Sequence, residues 1–167
     1  ALSAEAAVLG KEIRDGIEKY GTVDDSEFGR MYVYEADGLG HQLLMDDAGV
    51  PGLLSAPYYG YCDKTDPVYR STRRFSLSPR NPFFYTGKAL SGLGSPHSKP
   101  DFVWPMGIIM QGFTVQPEEN LCAILDMVAH ADDGTGYVHE SVHKDDPSRY
   151  TRPWFAWVNS LYSELLI

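Results

Sequence analysis

At 167 residues the chain is long enough for one domain with a sizeable core, and its 43% hydrophobic and 22% charged residues are the balance of an ordinary soluble globular protein. A net charge of -9 repels phosphate backbones and excludes nucleic acid as an expected partner. No apolar run approaches the ~20 residues of a membrane span, so a membrane is excluded as well.

Cys62 and Cys122 have neither metal spacing nor a disulfide framework, and read as small core residues. Ala1 is followed almost at once by a helical pattern, with no charged-then-apolar signal segment before it. The compartment is therefore not legible, and the chain is expected to begin inside a larger protein.

Ala6, Leu9, Ile13, Ile17 and Tyr20 recur at helical spacing, with Ser3 as N-cap and Gly21 as the stop. Lys11, Glu12, Arg14, Asp15 and Glu18 populate the opposite face, so this amphipathic helix needs a packing partner. Residues 31–36 read as extended, and residues 37–41 as a glycine turn. Asp46 or Asp47 is placed to cap a helix with Pro51 in its first turn. Asp66 and Pro67 predict an N-cap and first helical position, with the helix running through Arg74.

Residues 78–101 are rich in Gly, Pro, Ser and aromatics and read as a long irregular stretch, which in a compact domain is often functional. An apolar helix is expected over 102–114, with Trp104, Ile108 and Gln111 on one side. A further helix starts at Gln116–Glu119 and buries Leu121, Ile124, Leu125 and Val128. Asp132-Asp133-Gly134-Thr135-Gly136 ends it. The last helix is expected from near Tyr150, burying Trp154, Trp157, Val158, Leu161 and Leu165.

Two chemistries compete for the segment 136–159. His139-Glu140-Ser141-Val142-His143 spells H-E-x-x-H, which binds zinc when both histidines lie one turn apart on a helix. Glu164 falls downstream where a third ligand could lie. Against that helix stand Gly134 and Gly136 just upstream, Pro147 just downstream, β-branched Val138 and Val142, and the absence of an apolar stripe.

The second chemistry is glycoside hydrolysis, which needs paired carboxylates and aromatic platforms. The chain offers Asp46-Asp47, Asp132-Asp133, Glu140 and Asp145-Asp146, and nothing in that inventory identifies a sugar by itself. Simpler readings stand beside the sharp ones. Asp46 and Asp47 also read as a helix start, His97 as a loop residue satisfied by backbone, and the three tryptophans as core. His130 and Asp132 read as a helix end. Glu140, after a tight glycine turn and among polar groups, is hard to explain as packing.

The segments YVYEADGLGHQLLMDDAGVPGLLS, GLGSPHSKPDFVWPMGIIMQ, TGYVHES and TRPWFAWVNSLYSELL, in this order, resemble the C-terminal part of glycoside hydrolase family 125. The family's members are exo-acting α-1,6-mannosidases. The resemblance runs across nearly the whole chain and is more specific than one H-E-x-x-H.

It implies an all-α fold, an (α/α)6 toroid, with residues 1–167 supplying roughly the C-terminal half of one catalytic domain. It further implies inversion at the anomeric carbon, no cofactor and no metal. The substrate would be a mannose-containing oligosaccharide cleaved from its non-reducing end. Glu140 matches the family's general base, while the general-acid aspartate falls ahead of residue 1, in an N-terminal portion outside this chain. His41, Asp46, Asp47, His97, Trp104 and His139 lie in the resembling motifs as candidates to bind mannose hydroxyls. Arg152 is the candidate for a structural pair with Asp145 or Asp146. The alternatives are a zinc-dependent hydrolase using His139 and His143, and a non-catalytic carbohydrate-binding fragment.

Overall fold

The computed structural model describes residues 2–167. Among these, in chain order, lie α1 (Leu2–Tyr20), β1 (Thr22–Asp25), β2 (Gly29–Tyr32), β3 (Glu35–Ala36), β4 (Gln42–Leu43) and α2 (Pro67–Ser76). They are followed by β5 (Phe84–Thr86), β6 (Ser91–Leu93), β7 (Phe102–Val103), α3 (Pro105–Phe113) and α4 (Leu121–Ala129). The chain finishes with β8 (Ser141–His143), β9 (Asp146–Thr151) and α5 (Ala156–Leu165).

This corrects the all-α, (α/α)6 expectation. Helix accounts for 34% of the chain and strand for 17%, in four small antiparallel sheets. The long connections close into hairpins because their backbone N–H and C=O groups need partners once they pack against the core. The segment 78–101, expected as irregular, contains the β5–β6 hairpin, paired Phe84 to Leu93. No helix among the described residues is long and apolar enough to cross a membrane.

The core is built around α3. Pro105 through Met110 are buried, and α3 packs against α4, α5 and β6. Leu90, Leu93, Val103, Ile124, Val128, Val142, Val158 and Leu161 close around it. Gly94 makes one close approach possible. A Cβ there would lie 2.5 Å from the Phe102 carbonyl oxygen and from the Tyr85 ring, so only glycine lets this backbone pass. A smaller cluster of Phe28, Met31 and Phe75 joins the β1–β2 hairpin to α2.

Several helix boundaries differ from expectation for local reasons. Asp66 does cap α2, accepting from the amides of Val68 and Tyr69, with Pro67 in the first turn. The helix expected over 102–114 starts at Pro105. Residues 102–103 pair as β7, and Trp104 is extended, as a residue before proline prefers. Helix α4 begins at Leu121 under an Asn120 cap, with Ile124 and Val128 buried and Leu121 38% exposed. Tyr150 belongs to β9, so α5 starts six residues later than expected, leaving Trp154 60% and Trp157 48% exposed.

At the other end, Ser3 lies inside α1 rather than capping it, and α1 has no buried residue. Asp46 and Asp47 begin no helix: the chain from Gly49 to Cys62 runs through turns and bends. The cysteines are not core residues either. Cys62 is half-buried, its thiol pushed up to about 11 by burial, and Cys122 is exposed.

Candidate active site

Glu140 sits where three strands converge. In the sheet ordered β7-β8-β9, Ser141 pairs with Thr151, Val142 with Tyr150, and Phe102 with His143. Glu140 immediately precedes β8. Its amide donates to the carbonyls of Thr151 (3.2 Å) and Arg152 (3.4 Å), tying it to the end of β9.

Its carboxylate is held from both sides. Thr151 Oγ1 donates to Oε2 at 3.0 Å, and Arg152 Nε approaches Oε1 at 3.3 Å. Arg152 adopts φ 43°, a left-handed conformation unusual for a non-glycine residue, which turns the chain between β9 and Pro153. The expected pairing of Arg152 with Asp145 or Asp146 does not form. Asp145 pairs with Lys144, which holds its carboxyl below the ordinary range, and Asp146 accepts from Ser148.

The Glu140 side chain is 15% exposed and faces a cavity of about 390 Å³. His97, Ser98 and Lys99 form one wall, Phe102 another, and Arg149, Tyr150 and Thr151 a third. Among the described residues, Glu140 is the one carboxylate lining this cavity. A larger cavity, about 570 Å³, lies beside α1 and is lined mainly by Ile13, Ile17, Tyr20, Tyr32, Tyr34 and Leu53, away from Glu140.

Of the other candidates, His97 alone shares the Glu140 cavity. Asp47 is 5% exposed and accepts from Gly49 N at 2.8 Å and Ser95 Oγ at 3.3 Å. Ser95 Oγ in turn accepts from His97 N. Trp104 donates through Nε1 to Ser98 Oγ at 3.0 Å and packs edge-on against Phe155. Asp47 and Trp104 thus brace the 95–99 turn rather than line the cavity.

Asp46 corrects the sequence reading most clearly. It is fully buried, and its carboxyl accepts from the amides of Asp47, Leu53 and Leu54 at 3.0–3.1 Å. Burial pushes it up to about 7, against the opposing pull of the Ser76 hydroxyl and the Leu53 and Leu54 amides. A group so enclosed organises the turns after it and lies apart from the Glu140 cavity. His41 lies on the exposed β3–β4 hairpin, its Nδ1 2.6 Å from Asp37 Oδ2, beside a separate cavity with Glu35 and Gln42.

His139 likewise lies outside the lining of the Glu140 cavity. It is fully buried and stacked on Tyr150, with ring centroids 3.7 Å apart. Its Nδ1 lies 2.6 Å from the Pro153 carbonyl oxygen and its Nε2 3.1 Å from that of Asp132. The Asp132 carboxylate accepts from Gly134 and Gly136, which holds it below the ordinary range and shapes the glycine turn. His139 therefore pins the glycine turn to the end of β9, with Glu140 between them.

The same arrangement breaks the zinc geometry. H-E-x-x-H runs from an irregular segment into β8, so its histidines do not lie one turn apart on a helix. His143 accepts from Asp145 N and packs edge-on to Phe102, and Glu164 accepts from the Tyr58 hydroxyl at 2.9 Å.

Thr151, Arg152, Arg149 and Lys99 were missed as site residues by sequence reasoning. A signal for two of them existed: Arg149 and Thr151 are two apart and share one face of β9. It was obscured by expecting a helix from Tyr150.

Residues 1–167 match the family described as metal-independent α-mannosidase (GH125). The Schizosaccharomyces pombe meiotically up-regulated gene 157 protein is 44% identical over 167 residues, covering 99% of this chain and 33% of that protein. A Streptococcus pneumoniae structure is 45% identical with a TM-score of 0.93, covering 98% of this chain and 38% of that one. It is described as a non-productive substrate complex with α-1,6-mannobiose, from a study of metal-independent α-mannosidases and N-linked glycan processing. The chain thus spans about a third of the length of the first and 38% of the second.

Proposed function

Since the chain belongs to the metal-independent α-mannosidases of glycoside hydrolase family 125, we propose that it forms part of an inverting, exo-acting α-1,6-mannosidase with Glu140 as general base. The observation that carries this reading is the placement of Glu140. Its carboxylate is anchored on both oxygens yet opens to a cavity that admits water and a sugar. The structure of the pneumococcal relative, with its α-1,6-mannobiose complex, supports the substrate class.

In this reaction a water beside Glu140 attacks the anomeric carbon of the terminal mannose from the face opposite the departing oxygen. Glu140 takes the proton from that water as the new C–O bond forms. A carboxylic acid on the other side gives its proton to the glycosidic oxygen as the old bond breaks. The products are β-mannose and the shortened glycan. The two carboxyl groups of an inverting pair stand about 6.5–9.5 Å apart, which leaves room for the water.

No second carboxylate among the described residues lines the Glu140 cavity, which fits an acid supplied by sequence ahead of residue 1. Lys99, His97 and Arg149 line the same cavity and are our candidates to donate to mannose hydroxyls.

The test is Glu140→Gln in the full-length protein. Binding of α-1,6-mannobiose by calorimetry stays close to wild type while kcat falls by about 10²–10⁴-fold. Turnover near the wild-type rate would remove Glu140 from the role of base. Binding with no turnover in the wild type would favour the non-catalytic, carbohydrate-binding reading.

A further inference from the structure

Glu140 is reached by a hydroxyl chain whose direction follows from proton inventory. Its Oε2 accepts from Thr151 Oγ1 at 3.0 Å, and an ionised carboxylate has no proton to give back. The Thr151 hydroxyl carries one proton, and that proton is committed to Glu140. Ser141 Oγ lies 2.6 Å from the same Thr151 oxygen. Ser141 must therefore be the donor in that contact. The order is Ser141 O–H to Thr151, then Thr151 O–H to Glu140.

The chain is built into the sheet. Ser141 and Thr151 face each other as a β8–β9 pair, so the hairpin register itself sets their spacing. Ser141 is fully buried, and its hydroxyl has no bulk water to turn toward. Thr151 sits at the cavity wall beside the carboxylate it holds. A donor reaching Oε2 while Arg152 approaches Oε1 restricts rotation of the carboxylate about its last torsion.

We propose that Thr151 is a positioning residue, oriented by Ser141, that fixes the Glu140 carboxylate. This rests on the reading of Glu140 as the general base. A base fixed in this way meets its water without first reorienting, and small misplacements of a reacting group are costly in rate.

The experiment compares Thr151→Val, Thr151→Ser, Ser141→Ala and Glu140→Gln in the full-length protein, by kcat and KM on α-1,6-mannobiose. Thr151→Val keeps the shape and loses the donor, so kcat falls by roughly tenfold to a hundredfold with KM little changed. Thr151→Ser restores kcat. Ser141→Ala leaves the Thr151 donor in place and gives a smaller fall in kcat. This arm does not depend on how well Thr151→Val folds.

Wild-type kcat in both Thr151→Val and Ser141→Ala overturns the proposal. So does an equal loss of kcat in Thr151→Val and Thr151→Ser, which is the mark of a merely structural site. The Glu140→Gln arm separates the two claims. If it is inactive while Thr151→Val is normal, only the positioning role fails. If it is active, the base assignment itself fails.

Discussion

Asp46 and Glu140 are both acidic residues in motifs that resemble the same family, and the structure gives them opposite environments. Asp46 is sealed in the interior, accepting from three backbone amides, and burial raises it to about 7. Glu140 is held by side chains, Thr151 and Arg152, at the rim of a cavity. The difference lies in what remains free. A carboxylate saturated by its own backbone stabilises turns, while one anchored from behind keeps lone pairs for a reacting proton.

Substitution at the two sites should separate rate from stability. Glu140→Gln lowers kcat by about 10²–10⁴-fold and shifts unfolding free energy by less than about 1 kcal/mol, since its ion pair involves a mostly exposed arginine. His139→Ala sharpens the contrast from the residue next door. Losing a buried ring stacked on Tyr150 and facing two carbonyls costs roughly 3 kcal/mol of stability by chemical denaturation. It also lowers kcat, because the turn that presents Glu140 loosens.

Asp46→Asn costs about 1–3 kcal/mol, because an amide nitrogen now meets a backbone N–H that had an acceptor. Its kcat stays at the wild-type value. A large loss of kcat with unchanged stability would break the comparison.

The pH dependence has a definite sign. Asp46 holds its proton to about 7 when folded and releases it near 3.8 when unfolded. The folded state therefore binds more protons between those values. The stability that Asp46 contributes is complete below about 4 and is lost as pH rises through 7. Asp46→Asn has no such proton, so the wild-type advantage over it shrinks from about pH 4 to about pH 7 in paired urea titrations and is flat above that. The smallest effect belongs to Lys11→Ala on the exposed face of α1. Its pair with Asp15 is open to solvent, and losing it changes stability by less than about 0.5 kcal/mol.

Local rules were legible where a few adjacent residues decide the outcome. Asp66-Pro67 announced the start of α2, and the spacing of Leu9, Ile13 and Ile17 announced α1. The residues around Glu140 were legible only in part, because its sheet joins distant sequence. Phe102 pairs with His143 across some forty residues, in strands two and three residues long, too short for an alternating pattern to show.

The late start of α5 had a cause in plain view. Pro153 disfavours helix at the residue before it, and Arg152 stands there in the left-handed region. Asp46 followed another rule: a capping residue and a buried turn acceptor look alike in sequence, because both supply oxygens to amides two to eight residues ahead. Trp154 and Trp157, expected in the buried stripe of the last helix, are exposed: Trp154 precedes α5, and the packed face of α5 is set by Val158 and Leu161.

The most direct test of Glu140 as the base of an inverting reaction is the anomer first released from α-1,6-mannobiose, followed by proton NMR in the full-length protein. The account predicts that β-mannose appears first and then equilibrates by mutarotation. First release of α-mannose would contradict it, since that outcome requires a nucleophile and a covalent intermediate where the account puts a water and a base.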